Sequence, residues 1–146
     1  MIGMEVLKPV VALAGWTMVM WVWLYATRIP ALKTARVDAD ALVRRPGGSL
    51  DDVLPPEVQW KAHNYNHLHE APTVFYAIAL TLALIGKGDG LAATLGWAYV
   101  GLRVAHSLVQ ATSNKVMVRF GLFALSSAVL LALIVMTARG LWGVSA

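Results

Sequence analysis

Apolar and polar positions divide the chain into four long apolar segments with unequal joins. The segments cover about residues 6–27, 56–85, 91–113 and 116–138. None shows the alternation of a half-buried strand. As helices rising about 1.5 Å per residue, each can cross a hydrocarbon layer about 30 Å thick. The second segment is polar in its first half, the third is interrupted by Arg103 and His106, and residues 120–138 of the fourth carry no charge. The joins "KGDG" and "SNK" are short, so consecutive segments should lie antiparallel. The first join, loop one at about residues 28–55, is long and mixed in charge. "PPE" at its end suits a helical first turn, with proline inside the start and Glu57 favouring the dipole. The pattern predicts an all-α membrane protein: one domain over residues 1–146, an up-down four-helix transmembrane bundle.

Composition agrees with this. Of 146 residues, 58% are hydrophobic and only 14% charged, too few charges to cover a soluble domain of this size. Residues 9–27 form an uncharged stretch longer than the apolar core of a signal peptide, and are read as a retained span. There is no cysteine, which excludes disulfides, thiolate metal sites and cysteine nucleophiles. The net charge of +4 is modest, and no nucleic-acid partner is expected.

The basic residues instead set an orientation. Loop one holds Arg28, Lys33, Arg36, Arg44 and Arg45, with Lys61 close by, and the third join holds Lys115 and Arg119. The other side has Lys8, Lys87 and Arg139. Loops one and three should therefore face the cytoplasm and both termini the opposite side, in a bacterial inner membrane.

Two polar stripes interrupt the apolar segments. On one continuous helix, His63, Asn66, His67 and Glu70 of "HNYNHLHE" fall at i, i+3, i+4 and i+7, and Gln59 extends the row. Asn64 and His69 then lie on other faces. Tyr99, Arg103 and His106 form a second row at i, i+4 and i+7. An ionised side chain inside a bilayer costs about 2.5–3.5 kcal/mol, so Glu70 and Arg103 are expected close to one another. Three uses remain open: polar pairs that hold helices in register, a metal site from His63, His67 and Glu70, or a pocket for an anionic small molecule. No second cluster of histidine and carboxylate accompanies the first, so no metal is assigned.

With these residues in place, the chain resembles the MAPEG family, the membrane-associated proteins of eicosanoid and glutathione metabolism, over nearly its whole length. "RVAH", Arg103 to His106, is similar to a segment of a prostaglandin synthase in that family, and Arg119 falls at the spacing of its later arginine. The family's second-span signature is roughly R-A-x-x-N-x-x-E. Anchored on Glu70, it places His63 at the arginine and His67 at the asparagine, with Pro72 one residue early. Gln110 and Phe123 stand where the synthase has tyrosines.

The resemblance implies a homotrimer with sites between subunits, and glutathione as co-substrate. Arg28, His63, His67 and Arg103 would hold its carboxylates, and Asn66 and Glu70 its amide and amine groups. Arg119 would favour the thiolate, and Tyr99 and His106 complete the wall. A small apolar electrophile would arrive through membrane lipid. The activity implied is a glutathione-dependent transferase or peroxidase. The alternative is a non-catalytic relative that binds a lipid-like ligand or a partner.

Overall fold

The computed structural model describes residues 2–143. Helix α1, Leu7–Ala35, passes the expected end at Thr27. Arg28 closes the apolar run, but charge alone does not end a helix. Pro30 removes one backbone hydrogen bond, yet the helix persists until Arg36 turns left-handed at φ 51°. There the amides of Arg36 and Val37 close on the carbonyls of Lys33 and Leu32, satisfying the exposed end. Arg28 is thus an interior helical residue rather than a terminal one.

Loop one is partly built. The short helix α2, Ala39–Val43, is capped by the Asp38 carboxylate, which accepts from the amides of Asp40 and Ala41. A 3₁₀ turn follows at Leu50–Asp52, with Ser49 Oγ accepting from the Asp51 amide at 3.1 Å.

The second apolar segment is two helices, α3 at Pro56–His67 and α4 at Ala71–Leu84. At about 1.5 Å per residue neither crosses a hydrocarbon layer alone. Helix α5 covers Leu91–Thr112 and α6 covers Val116–Trp142. No strand occurs among the described residues. Among the described residues, two helices, α1 and α6, are long and apolar enough to cross a membrane.

The core lies where α5 meets α1, α3 and α6, and where α4 meets α1 and α6. Leu13 and Met20 of α1, Phe75, Ala79 and Leu82 of α4, Tyr99 of α5 and Leu133 of α6 are fully buried in it. Each helix contributes side chains three or four positions apart, so one face of each is covered. Buried hydroxyls bond within their own helix: Thr17 to the Leu13 carbonyl at 3.0 Å and Thr137 to that of Leu133 at 2.8 Å. Outward faces are apolar, with Val11, Met18 and Val22 on α1 and Met117, Phe120, Leu125 and Leu131 on α6 all exposed. A surface of this kind calls for lipid or a protein partner.

The two ends of the molecule differ. The Gly3 amide bonds to the Ala83 carbonyl and the Val6 amide to that of Gly88, both at 3.0 Å. Near Gly140 of α6, an added Cβ would come within 2.8 Å of Ile85 Cδ1. The N-terminal residues, the turn before α5 and the end of α6 therefore share one end. Loop one meets α3 and Asn114 at the other, beside the start of α6.

Candidate functional site

Pro72 splits the first polar stripe. Its ring clashes with a helical carbonyl four residues back and it offers no amide, so α3 stops at His67 and α4 starts afresh at Ala71. Glu70, at φ −90° and ψ −105°, belongs to neither helix. The expected i, i+7 relation of His63 to Glu70 therefore does not hold. Asn66 is exposed, and Glu70 retains 65% of its side-chain surface. The Glu70 carboxylate instead lies 2.6 Å from His67 Nδ1. This contact through Nδ1 holds the ring in place and leaves Nε2 for a ligand.

The buried polar residue of α3 is Asn64, which the stripe had assigned to another face. It is fully buried, and its Nδ2 donates to Ser107 Oγ of α5. The signal for this was the apolar period of α4 followed backwards. Leu82, Ala79, Phe75 and Pro72 continue to Leu68 and Asn64 in steps of three or four, and all six are buried.

The second stripe is intact. Tyr99, Arg103 and His106 share the buried face of α5. Arg103, 1% exposed, donates from Nε to the Tyr99 hydroxyl at 3.1 Å. Its guanidinium carbon is 5.5 Å from the Tyr99 ring centroid and 5.4 Å from that of Phe123, so two π faces bear on the charge. Both Nη atoms are buried without a partner among the described residues. Glu70 is not that partner. The expected Glu70–Arg103 neighbourhood is replaced by Glu70 on His67 and Arg103 on aromatic rings.

His67, His106 and Arg119 come together. With Val116, Phe120 and Phe123 they line a pocket of about 300 Å³. The two imidazole rings are 5.1 Å apart, and the His67 ring is 5.8 Å from Phe123. Arg119 Nη1 donates to Asn114 Oδ1 at 2.5 Å, while its Nε is buried without a partner. Asn114 is in the left-handed region at φ 50°, a conformation asparagine tolerates. One wall of the pocket is cationic and hydrogen-bonding, and the other is hydrocarbon and aromatic.

Arg28 and His63 meet elsewhere, through residues the stripes did not include or only extended to. Arg28 Nη2 donates to Gln59 Oε1 at 2.9 Å, and Gln59 Nε2 donates to Asp51 Oδ1 at 2.5 Å. His63 Nε2 lies 3.1 and 3.2 Å from the two Asp51 oxygens. Asp51, Gln59, Trp60, His63 and Asn114 border a cavity of about 330 Å³. Asn114 thus adjoins both cavities, through its own surface and through Arg119. With His63 on Asp51 and His67 on Glu70, the two-histidine, one-carboxylate set does not converge. Among the described residues, no three His or acidic side chains are arranged to hold a metal ion.

Comparison with known proteins gives one result. The model of the MAPEG family matches residues 6–139, nearly the whole chain, so the chain belongs to the MAPEG family and is an integral membrane protein. No curated protein and no solved structure matches it.

Proposed function

We propose that this MAPEG protein is a glutathione-dependent transferase or peroxidase that acts on an apolar electrophile. One observation carries the reading. The pocket of His67, His106, Arg119, Val116, Phe120 and Phe123 sets cationic and imidazole groups against an apolar wall. Such a cleft suits a polar thiol donor and a lipid-borne acceptor at the depth where water meets hydrocarbon.

Three buried guanidinium nitrogen sets without partners fit an anionic tripeptide: Nη1 and Nη2 of Arg103, Nε of Arg28 and Nε of Arg119. Buried donors of this kind favour a charged acceptor strongly. Glutathione supplies the thiolate that displaces a leaving group from the electrophile. The Arg119 guanidinium is a cation with several N–H donors, so it favours that thiolate by charge and hydrogen bonding. His67, oriented by Glu70, offers Nε2 as a second polar contact. At the loop-one end His63 faces the Asp51 carboxylate and Arg28 stands behind it through Gln59, which suits them to a ligand carboxylate. Asn66 and Glu70 lie outside the chain's own core, where a neighbouring subunit can cover them.

The same argument supports a homotrimeric four-helix bundle. Charged Glu70 and the apolar face of α6 are both exposed in the single chain, and an assembly buries one beside the other's cleft. Loops one and three face the cytoplasm on the strength of their Lys and Arg excess, giving glutathione access from the side that holds it.

A second reading is a non-catalytic member that takes a lipid-like ligand in the same pocket. It is favoured by Phe123, which puts a ring without a hydroxyl beside His67. Thermal unfolding with added glutathione separates the two. A ligand that binds the folded state stabilises it by RT ln(1 + [L]/Kd), so millimolar glutathione should raise the midpoint under the first reading. No shift with glutathione and a shift with an apolar ligand supports the second.

A further inference from the structure

We propose that Asp51 is an internal competitor for the carboxylate seat formed by Arg28, Gln59 and His63. It fills from loop one the place that a ligand carboxylate takes, and the ligand binds by displacing it. This rests on the glutathione reading above and adds to it the group that must leave.

The seat is built around Gln59, which is 4% exposed and held from both sides. Its Oε1 accepts from Arg28 Nη2, and its Nε2 donates to Asp51 Oδ1. That double engagement fixes the amide with its N–H toward the carboxylate. His63 Nε2 faces both oxygens of the same group at 3.1 and 3.2 Å. An amide N–H, an imidazole and a guanidinium one bond further back make a donor set for any carboxylate.

The occupant is weakly anchored. Asp51 comes from a three-residue 3₁₀ turn and keeps 53% of its side-chain surface, and His63 keeps 49%. Exposed pairs of this type contribute little, because water and salt screen them. Beside the seat lies the cavity of about 330 Å³ bordered by Asp51, Gln59, Trp60, His63 and Asn114. Arg28 Nε, on the guanidinium behind Gln59, is buried without a partner among the described residues. Asp51 borders this cavity, so a ligand carboxylate bound in it lies near the Asp51 carboxylate. Repulsion between two carboxylates then favours release of the turn.

Asp52 provides the control. It is the adjacent residue, exposed, and its carboxylate accepts no hydrogen bond among the described residues. The experiment is calorimetric titration of glutathione into the full-length protein in detergent. It compares the unsubstituted chain with Asp51→Asn and Asp52→Asn. Asn at position 51 keeps the side-chain size and the oxygen that accepts from Gln59, and loses the charge. Asp51→Asn should bind glutathione about two- to five-fold more tightly, with Asp52→Asn unchanged. An unchanged or weaker affinity in Asp51→Asn overturns the proposal, as does an equal gain in Asp52→Asn. The proposal alone fails if the unsubstituted protein binds glutathione and Asp51→Asn does not improve on it. Absence of binding in all three proteins removes the glutathione reading and the proposal with it.

Discussion

Asn64 of α3 and Ser107 of α5 are bonded to one another, both fully buried, in the middle of a helix pair that also carries Arg103 and His106. Removing one partner strands the other. Asn64→Leu should lower stability by about 1–2 kcal/mol, while Asn66→Leu, on the exposed face, should stay within about 0.5 kcal/mol. Denaturant unfolding of the two variants in detergent checks this. Equal losses would contradict the assignment of faces.

Arg103 leads to a second prediction. Its charge is buried against Tyr99 and Phe123 and has two donors to spare. Arg103→Leu removes a charge that is costly without an anion but leaves the buried Tyr99 hydroxyl without its donor, so the ligand-free protein should change by no more than about 1–2 kcal/mol. Its stabilisation by glutathione should be lost. Arg103→Lys should not restore it, because an ammonium lacks the planar fork and the stacking face. Melting scans with and without glutathione measure both effects.

Gly88 tests the packing at the opposite end, with Gly101 inside α5 as the control. A Cβ on Gly88 would lie 2.3 Å from the Gly3 carbonyl oxygen, whereas one on Gly101 would meet nothing within 4 Å. Gly88→Ala should cost about 1–3 kcal/mol by pushing the N-terminal segment off the turn. Gly101→Ala should gain about 0.5–1 kcal/mol, since alanine favours a helix interior. Unfolding midpoints of the pair decide it.

Orientation can be read directly, because the chain has no cysteine of its own. Lys87→Cys places a single thiol in the turn between α4 and α5. A membrane-impermeant maleimide should label it on intact cells. Labelling only after lysis would reverse the orientation drawn from the Lys and Arg distribution.

Much of this fold is legible in the sequence because its helices are long and their apolar steps regular. Tyr99, Arg103 and His106 are aligned by spacing on an uninterrupted helix, and α5 keeps them so. The second segment misled for a local reason. Chemistry aligns His63, Asn66, His67 and Glu70 on one helix, but Pro72 ends that helix at His67, so Glu70 does not share their face. Following the apolar period back from Phe75 leads to Asn64 instead. Asp51 was not legible at all. Its role depends on how a loop folds back onto α3, and neither charge nor periodicity encodes that.

We propose that Arg119, with His67 and His106, holds glutathione as its thiolate. The direct measurement is the ultraviolet thiolate absorbance of glutathione bound at neutral pH, in the unsubstituted protein and in Arg119→Leu. Glutathione should give a thiolate band on binding to the unsubstituted protein, and should bind the variant with that band greatly reduced. Equal thiolate absorbance in the two proteins would contradict it and leave Arg119 as an anchor to lipid phosphates.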